Sequence, residues 1–131
     1  MGTVKYLLDT CAFLWLSQEP KRLSKEAVKC LNAADSQLYV SDVSVWEVTL
    51  KHTAGKLPLP DAPRIWIPEK FAHHRLVQLQ LTQHAIFRSG ELPRSHMDPF
   101  DRLLAAQALE EQMTILSPDA PISMLGAARV W

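Results

Sequence analysis

Five carboxylates in this chain stand out for what flanks them. Asp9 closes a short apolar run, VKYLL, at Val4 to Leu8, and Asp119 lies in SPDAP just past another, MTIL. Glu47 sits inside the otherwise apolar stretch VSVWEVTL, and Asp98 and Asp101 bracket Pro99 and Phe100 at the mouth of DPFDRLLAAQA. A charged side chain in apolar company must face outward or find a partner. Several carboxylates converging on one place would repel, and their pKa values would rise, unless a cation joined them. Carboxylates and water are the ligands of a hard divalent ion such as Mg2+ or Mn2+. Such an ion acidifies a water and neutralises charge on a phosphate during in-line displacement. Acids gathered around it therefore suit phosphodiester hydrolysis, which needs no covalent nucleophile.

Taken singly, each acid also has an ordinary role. Asp followed by Pro starts helices, so Asp98 is expected to accept the free backbone N–H groups of the first turn. Asp101 lies at the same helix end, Asp9 and Asp119 sit where turns would fall, and Glu47 could lie on a solvated face. Only convergence separates the two readings, and convergence depends on the elements that carry the acids.

Val4 to Leu8 reads as a buried strand, followed by a helical stretch, CAFLWLS. Leu23 to Ala34 reads as an amphipathic helix capped by Ser24, with Ala27, Val28 and Leu31 on one face. LYV at Leu38 to Val40 is a second strand. Ser41 then caps a helix carrying Val43, Trp46, Val48 and Leu50, which Gly55 stops. KLPLPDAP is proline-punctuated loop, Ile65 to His73 reads as a helix with Pro68 in its first turns, and Leu76 to Leu81 alternates like a strand. Thr82 starts a short helix closed near Gly90. Asp98 to Gln112 is the strongest helical signal, with Pro99 at its first position. Met113 to Leu116 is a fourth strand, and a short element ends the chain. Strands alternating with helices predict a parallel sheet covered on both faces, with its site beyond the carboxyl ends of the strands.

Composition narrows the class. The 131 residues are 47% hydrophobic and 21% charged, which is globular rather than disordered. A chain of this size buries about two-thirds of its unfolded surface. Fourteen basic and 14 acidic side chains balance, so nucleic-acid binding would need a local patch. Cys11 and Cys30 form neither metal-ligand spacing nor a disulfide framework, and two buried thiols in a reducing compartment are expected. The start, MGTVKYLLDT, has no long apolar stretch before its first acid, and no run approaches the ~20 residues of a membrane span. A cytoplasmic protein is the expectation.

YLLDTCAFLWL, then SDVSVWEVTLKHTAGKLPLP, then LPRSHMDPFDRLLAAQALEEQMTILSPD together resemble the PIN-domain ribonucleases. Within them, the pattern is similar to the VapC-like toxins of bacterial type II toxin–antitoxin pairs. The resemblance covers nearly the whole chain in order and spacing, and DPFDRLLAAQA is its most specific part. It implies a three-layer α/β/α sandwich around a central parallel sheet, with residues 1–131 forming one PIN-like domain. It also implies an acidic Mg2+ site that Mn2+ would fill in its place. The family's four catalytic, metal-holding acids fall on Asp9, Glu47, Asp101 and Asp119. An extra acid of the subgroup, one turn before the third, falls on Asp98. Ser117, Ser44 and Thr10 match polar positions that support the acids. Two departures stand out. Many relatives carry histidine after LLDT where this chain has Cys11, so no role of that histidine carries over. SPDAPISMLGAARVW follows the pattern more loosely than the rest.

The expectation is a metal-dependent endoribonuclease, the toxin of such a pair. Asp9 and Asp101 hold the ion, and Glu47 and Asp119 complete the site through water or a second, weaker ion. Lys51, Lys56, Arg94 and Arg102 lie near the acidic segments and are candidates to meet RNA phosphates, against the plainer reading of solvated surface charge. The resemblance further implies a cognate antitoxin, whose C-terminal segment occupies a groove near the site, and a homodimer. Trp15, Trp46 and Trp66 offer apolar area for such surfaces, with at least two of them expected in the core. Other classes fit poorly. A haloacid-dehalogenase-like phosphatase needs a second acid two residues after the first, where Cys11 stands. A receiver domain needs an acidic pair near the first strand and a late lysine. The remaining alternative is a PIN-like RNA- or protein-binding module with little or no catalysis.

Overall fold

A computed structural model of the chain describes residues 2–94 and 98–131. Ser95, His96 and Met97 of the LPRSHMDPF segment, together with Met1, lie outside the described residues. Among the described residues, five strands make one sheet in the order β3-β2-β1-β4-β5, and every neighbouring pair is parallel.

Strand β1 (Val4–Leu8) runs through the centre, between β2 (Ser36–Ser41) and β4 (Thr114–Leu116). In register, Leu8 stands beside Val40 on one side and Leu116 on the other. Successive residues of β1 point to opposite faces, so Leu7 and Leu8 enter different cores. Leu7 joins Leu104, Ile115, Ile122 and Leu125. Leu8 joins Phe13, Val40, Val48, Trp66 and Leu116, with Phe13 packed edge-on against Trp66 at 5.9 Å. Two apolar faces demand two helical layers, and the sheet is a three-layer α/β/α sandwich.

Short polar residues start the helices, two of them directly at strand ends (Asp9 and Ser41). Asp9 caps α1 (Thr10–Gln18), Ser24 caps α2 (Lys25–Asn32), and Ser41 caps α3 (Asp42–Thr53). Thr82 caps α5 (Gln83–Glu91), and Asp98 caps α6 (Pro99–Glu111). Ser24 accepts the Ala27 N–H at 3.0 Å. Ser24→Ala is therefore expected to cost about 1 kcal/mol, read as a lower midpoint in urea at unchanged slope.

Three features differ from the pattern reading. Helix α4 (Pro63–His74) starts two residues before Ile65, because Pro63 occupies its first turn, where a missing N–H costs nothing. Pro68 lies inside it and faces solvent. Val28 is exposed rather than packed with Ala27. The C-terminal element is a two-residue strand, β5 (Arg129–Val130), paired with β4 and too short to show any alternation. Strand β3 (Val77–Leu79) is the other edge.

The chain fills the β2–β3 side of β1 first, then crosses to β4 and β5. Strand order thus reverses at β1, and Asp9 and Ser117 leave β1 and β4 side by side at that switch point. A crevice at the carboxyl ends is the consequence.

Candidate active site

The crevice is a cleft of about 340 Å3, and Asp9, Glu47, Asp98, Asp101 and Asp119 all line it. They arrive from separate places: the end of β1, the second turn of α3, the first turn of α6, and the loop after β4. A larger hollow of about 450 Å3 lies between α3 and α4, around Val45, Thr49, Ile67 and Pro68. It holds no cluster of titratable groups, so the acidic cleft is where chemistry can occur.

Asp9 is only 4% exposed. Its Oδ1 accepts the Ala12 N–H at 2.7 Å and its Oδ2 accepts the Ser117 hydroxyl at 2.5 Å. Both donors are neutral. Burial pushes the Asp9 carboxyl up to about 6, the nearby Asp119 and Glu47 add to the rise, and the two hydrogen bonds oppose it. Ser117 also accepts the Asp119 N–H at 2.9 Å, so one hydroxyl ties the first acid to the loop carrying the last.

Glu47 finds a partner on each oxygen. Thr10 donates to Oε1 at 2.7 Å and shares a 3.0 Å hydroxyl–hydroxyl bond with Ser44. Lys51 Nζ stands 2.6 Å from Oε2, one turn along the same helix. The Glu47 side chain is 12% exposed, so its apolar neighbours in sequence are matched by burial and two donors rather than by a solvated face. Glu47 in turn holds the Lys51 ammonium above its ordinary pKa.

Asp98 caps α6 through Oδ1, accepting from Phe100 N at 2.9 Å and Asp101 N at 3.3 Å. Asp101 follows three residues later, in the first turn, where a negative charge suits the helix end. Cys11 and Cys30 are free and half-buried rather than buried, Cys11 because it lines the open cleft, where burial, followed by the charge of Asp9, pushes its thiol up to about 11. A thiol so raised is a poor nucleophile at neutral pH.

The four candidate RNA-binding cations part ways. Lys51 lines the cleft. Lys56 and Arg94 are exposed and do not line it. Arg102 turns its guanidinium to carbonyls, donating to Pro93 at 2.6 Å, Ser89 at 2.8 Å and Leu92 at 2.9 Å. Spacing in the sequence could not show this, because the carbonyls belong to the preceding helix and loop. Sequence reasoning also missed Gln107, buried in α6, which accepts from the α3 cap Ser41 at 2.5 Å and donates to Gln80 O at 3.2 Å. Of the tryptophans, only Trp66 is buried; Trp15 is half-buried against Trp131 and Arg22. Trp46 is 53% exposed beside the cleft, its ring 5.2 Å from that of Phe100. The expectation of two core tryptophans fails because Trp15 sits under a short surface turn instead.

Among the described residues, no three Asp, Glu, His or Cys side chains form a ready metal cage. Mg2+ does not require one, since it keeps several waters and binds proteins through one or two carboxylates. The oxygen-only acids of the cleft match a hard cation, and buried Asp9 carries no positive neighbour among its hydrogen-bond partners. The residues present fit such an ion.

Fold and cleft define a class. The chain belongs to the PIN-domain family, whose model matches residues 6–125. It is VapC-like: it is 31% identical over 114 residues to the ribonuclease VapC22 of Mycobacterium tuberculosis, covering 86% of this chain and 85% of that one. Its fold is also that of VapBC2 from Rickettsia felis, solved bound to a DNA fragment from their promoter. That match has a TM-score of 0.74 at 15% identity, over 97% and 98% of the two chains. A toxin–antitoxin complex from Klebsiella pneumoniae matches at a TM-score of 0.59 and 17% identity, over 87% and 86%.

Proposed function

We propose that the chain is a divalent-metal-dependent endoribonuclease, the toxin of a toxin–antitoxin pair, hydrolysing RNA phosphodiester bonds. One observation carries the reading. Acids from four separate segments line one cleft of a PIN-family chain, and the most buried of them, Asp9, is held among the described residues by two neutral donors. Similarity to the ribonuclease VapC22 supports RNA as the substrate class.

Asp9 and Asp101 are the carboxylates that would hold Mg2+, with Mn2+ able to take its place. The ion supplies positive charge that draws electron density from the phosphodiester and acidifies a water. The chain does the rest by position. Ala12 N–H and Ser117 fix both oxygens of Asp9, which spares the carboxylate from reorienting when substrate arrives. Thr10, braced by Ser44, fixes Glu47. Glu47 and Asp119 orient the attacking water. Its oxygen bonds to phosphorus as the water gives up a proton, one P–O bond breaks, and the leaving oxygen takes up a proton in its turn, so that the water's proton ends on the new hydroxyl. Asp98 holds the first turn of α6, and so the backbone of Asp101, in place.

A protein partner follows from the same reading. Likeness to solved toxin–antitoxin and VapBC assemblies supports an antitoxin, and exposed Trp46, Leu50 and Phe87 provide apolar area for it or for a second copy of the chain. The cytoplasm, where such RNA lies, is the proposed location.

The test is cleavage of a panel of structured RNAs by antitoxin-free protein in Mg2+, in Mn2+ and in EDTA. Defined products are expected with either metal and none in EDTA. Asp101→Asn should lower the rate about a hundredfold or more, since a bound cation is worth several kcal/mol to the transition state. Folded protein that binds metal yet cuts no RNA would favour the binding-module reading.

A further inference from the structure

The cleft is electrostatically lopsided. On one side Asp9 accepts, among the described residues, from an N–H and a hydroxyl. On the other, Glu47 meets an ammonium, with Lys51 Nζ at 2.6 Å on Oε2 and Thr10 already on Oε1. Lys51 is the basic side chain that lines the cleft among the described residues. Glu47 and Lys51 are four residues apart on α3, so they share a helix face, and Glu before Lys is the favoured order. Val43 and Val48, each buried in one of the two cores, anchor that helix.

We propose that the Lys51 ammonium, rather than a second metal ion, supplies the positive charge on the Glu47 side, so that the site takes a single divalent ion on the Asp9 side. The inference rests on the nuclease reading above. A second ion bound to Glu47 would have to displace an ammonium already seated on its oxygen. Keeping both would place like charges a few ångströms apart, against strong repulsion in a half-buried cleft. Nucleases that use two metals place them about 4 Å apart to clamp both sides of the phosphate. Lysine, a compact point charge on a flexible stem, can serve one of those two positions. Lys51, its side chain 49% exposed but its ammonium on Glu47, is then a positioning residue for Glu47 and for the substrate phosphate.

The experiment counts Mn2+ ions per chain by calorimetry and by electron paramagnetic resonance on the full chain, without RNA, near neutral pH. The native chain should bind one Mn2+. Lys51→Met should bind two, and Lys51→Arg, which keeps the charge, should return to one. Glu47→Gln should still bind one, weakened less than tenfold, whereas Asp9→Asn should weaken that ion at least a hundredfold. Two ions in the native chain would overturn the proposal. So would one ion of unchanged affinity in folded Lys51→Met, or Glu47→Gln losing the ion as Asp9→Asn does. Circular dichroism checks folding, and Lys51→Gln serves where Lys51→Met fails it. A native chain that binds no Mn2+ at all would instead overturn the nuclease reading itself.

Discussion

Asp9→Asn is expected to lower metal-dependent RNA cleavage by about a thousandfold or more, while leaving the metal-free protein more stable at pH 8 than the native chain. The activity loss follows from removing the buried carboxylate that would hold the cation, an interaction worth several kcal/mol to the transition state. The stability gain follows from burial. The Asp9 carboxyl is raised from 3.8 to about 6, so the folded chain holds this proton more tightly than the unfolded chain does. Its stabilising contribution is complete below pH about 4 and is lost as pH rises through about 6. At pH 8 the ionised group therefore costs about 3 kcal/mol, at roughly 1.4 kcal/mol per unit. Asparagine carries no charge at any pH and still accepts the Ala12 N–H, so part of that cost, about 1–2 kcal/mol, should be recovered. Melting temperatures in EDTA from pH 4 to 8 check the sign. The difference between variant and native chain should be near its minimum at pH 4, widen up to about pH 6 and level off above it. A constant difference would mean that Asp9 titrates as it does in the unfolded chain. Added Mn2+ should raise the native melting temperature more at pH 8 than at pH 5, because metal and proton compete for one carboxylate.

Arg102→Met is expected to destabilise the protein by about 2–3 kcal/mol, the second largest effect. Arg102 holds carbonyls of Ser89, Leu92 and Pro93, at the end of α5 and just beyond it, where helix carbonyls lack partners of their own. Bonds from a charged donor are worth about 1.5–3 kcal/mol each when buried, and these are partly exposed, which brings the sum down. The residue directly follows Asp101 in α6, so the same clamp steadies the turn that presents Asp98 and Asp101 to the cleft. A lower melting temperature together with slower cleavage is the expected result. Lysine should restore little, because a single ammonium cannot span the fork of carbonyls that a guanidinium reaches. An RNA-contacting arginine would behave differently, weakening RNA binding and leaving the melting temperature unchanged.

Most of the architecture is legible one residue at a time. Ser24, Ser41, Thr82 and Asp98 each announce a helix, because a short polar side chain before an apolar run has one favourable use for its oxygen. VKYLL and the strands near LYV and MTIL are apolar enough to be covered on both faces, which already implies parallel pairing. The rule that sites gather beyond carboxyl ends then points to Asp9 and Asp119 without coordinates. The β5 pair is invisible, since two residues cannot show a period. The depth of Trp15 and Trp46 is equally hidden, because exposure of a large ring depends on what crosses over it. Trp46 lies beside Phe100, which is 54 positions away in the chain but 5.2 Å away in space.

The sequence by itself determined the helix starts and the strands that put Asp9 and Asp119 at the carboxyl edge of the sheet, because those facts follow from local pattern and from the parallel pairing it implies. Tertiary structure alone decided what each charge does there. Lys51 and Arg102 look alike in sequence, two cations beside acids, yet one pairs with Glu47 in the cleft and the other holds the end of α5. Asp9 and Asp98 both cap helices, yet burial raises the carboxyl of Asp9, while Asp98 stays at the exposed rim. A side chain's charge is written in its chemistry, but its energy depends on how much water and which opposite charge the fold leaves beside it.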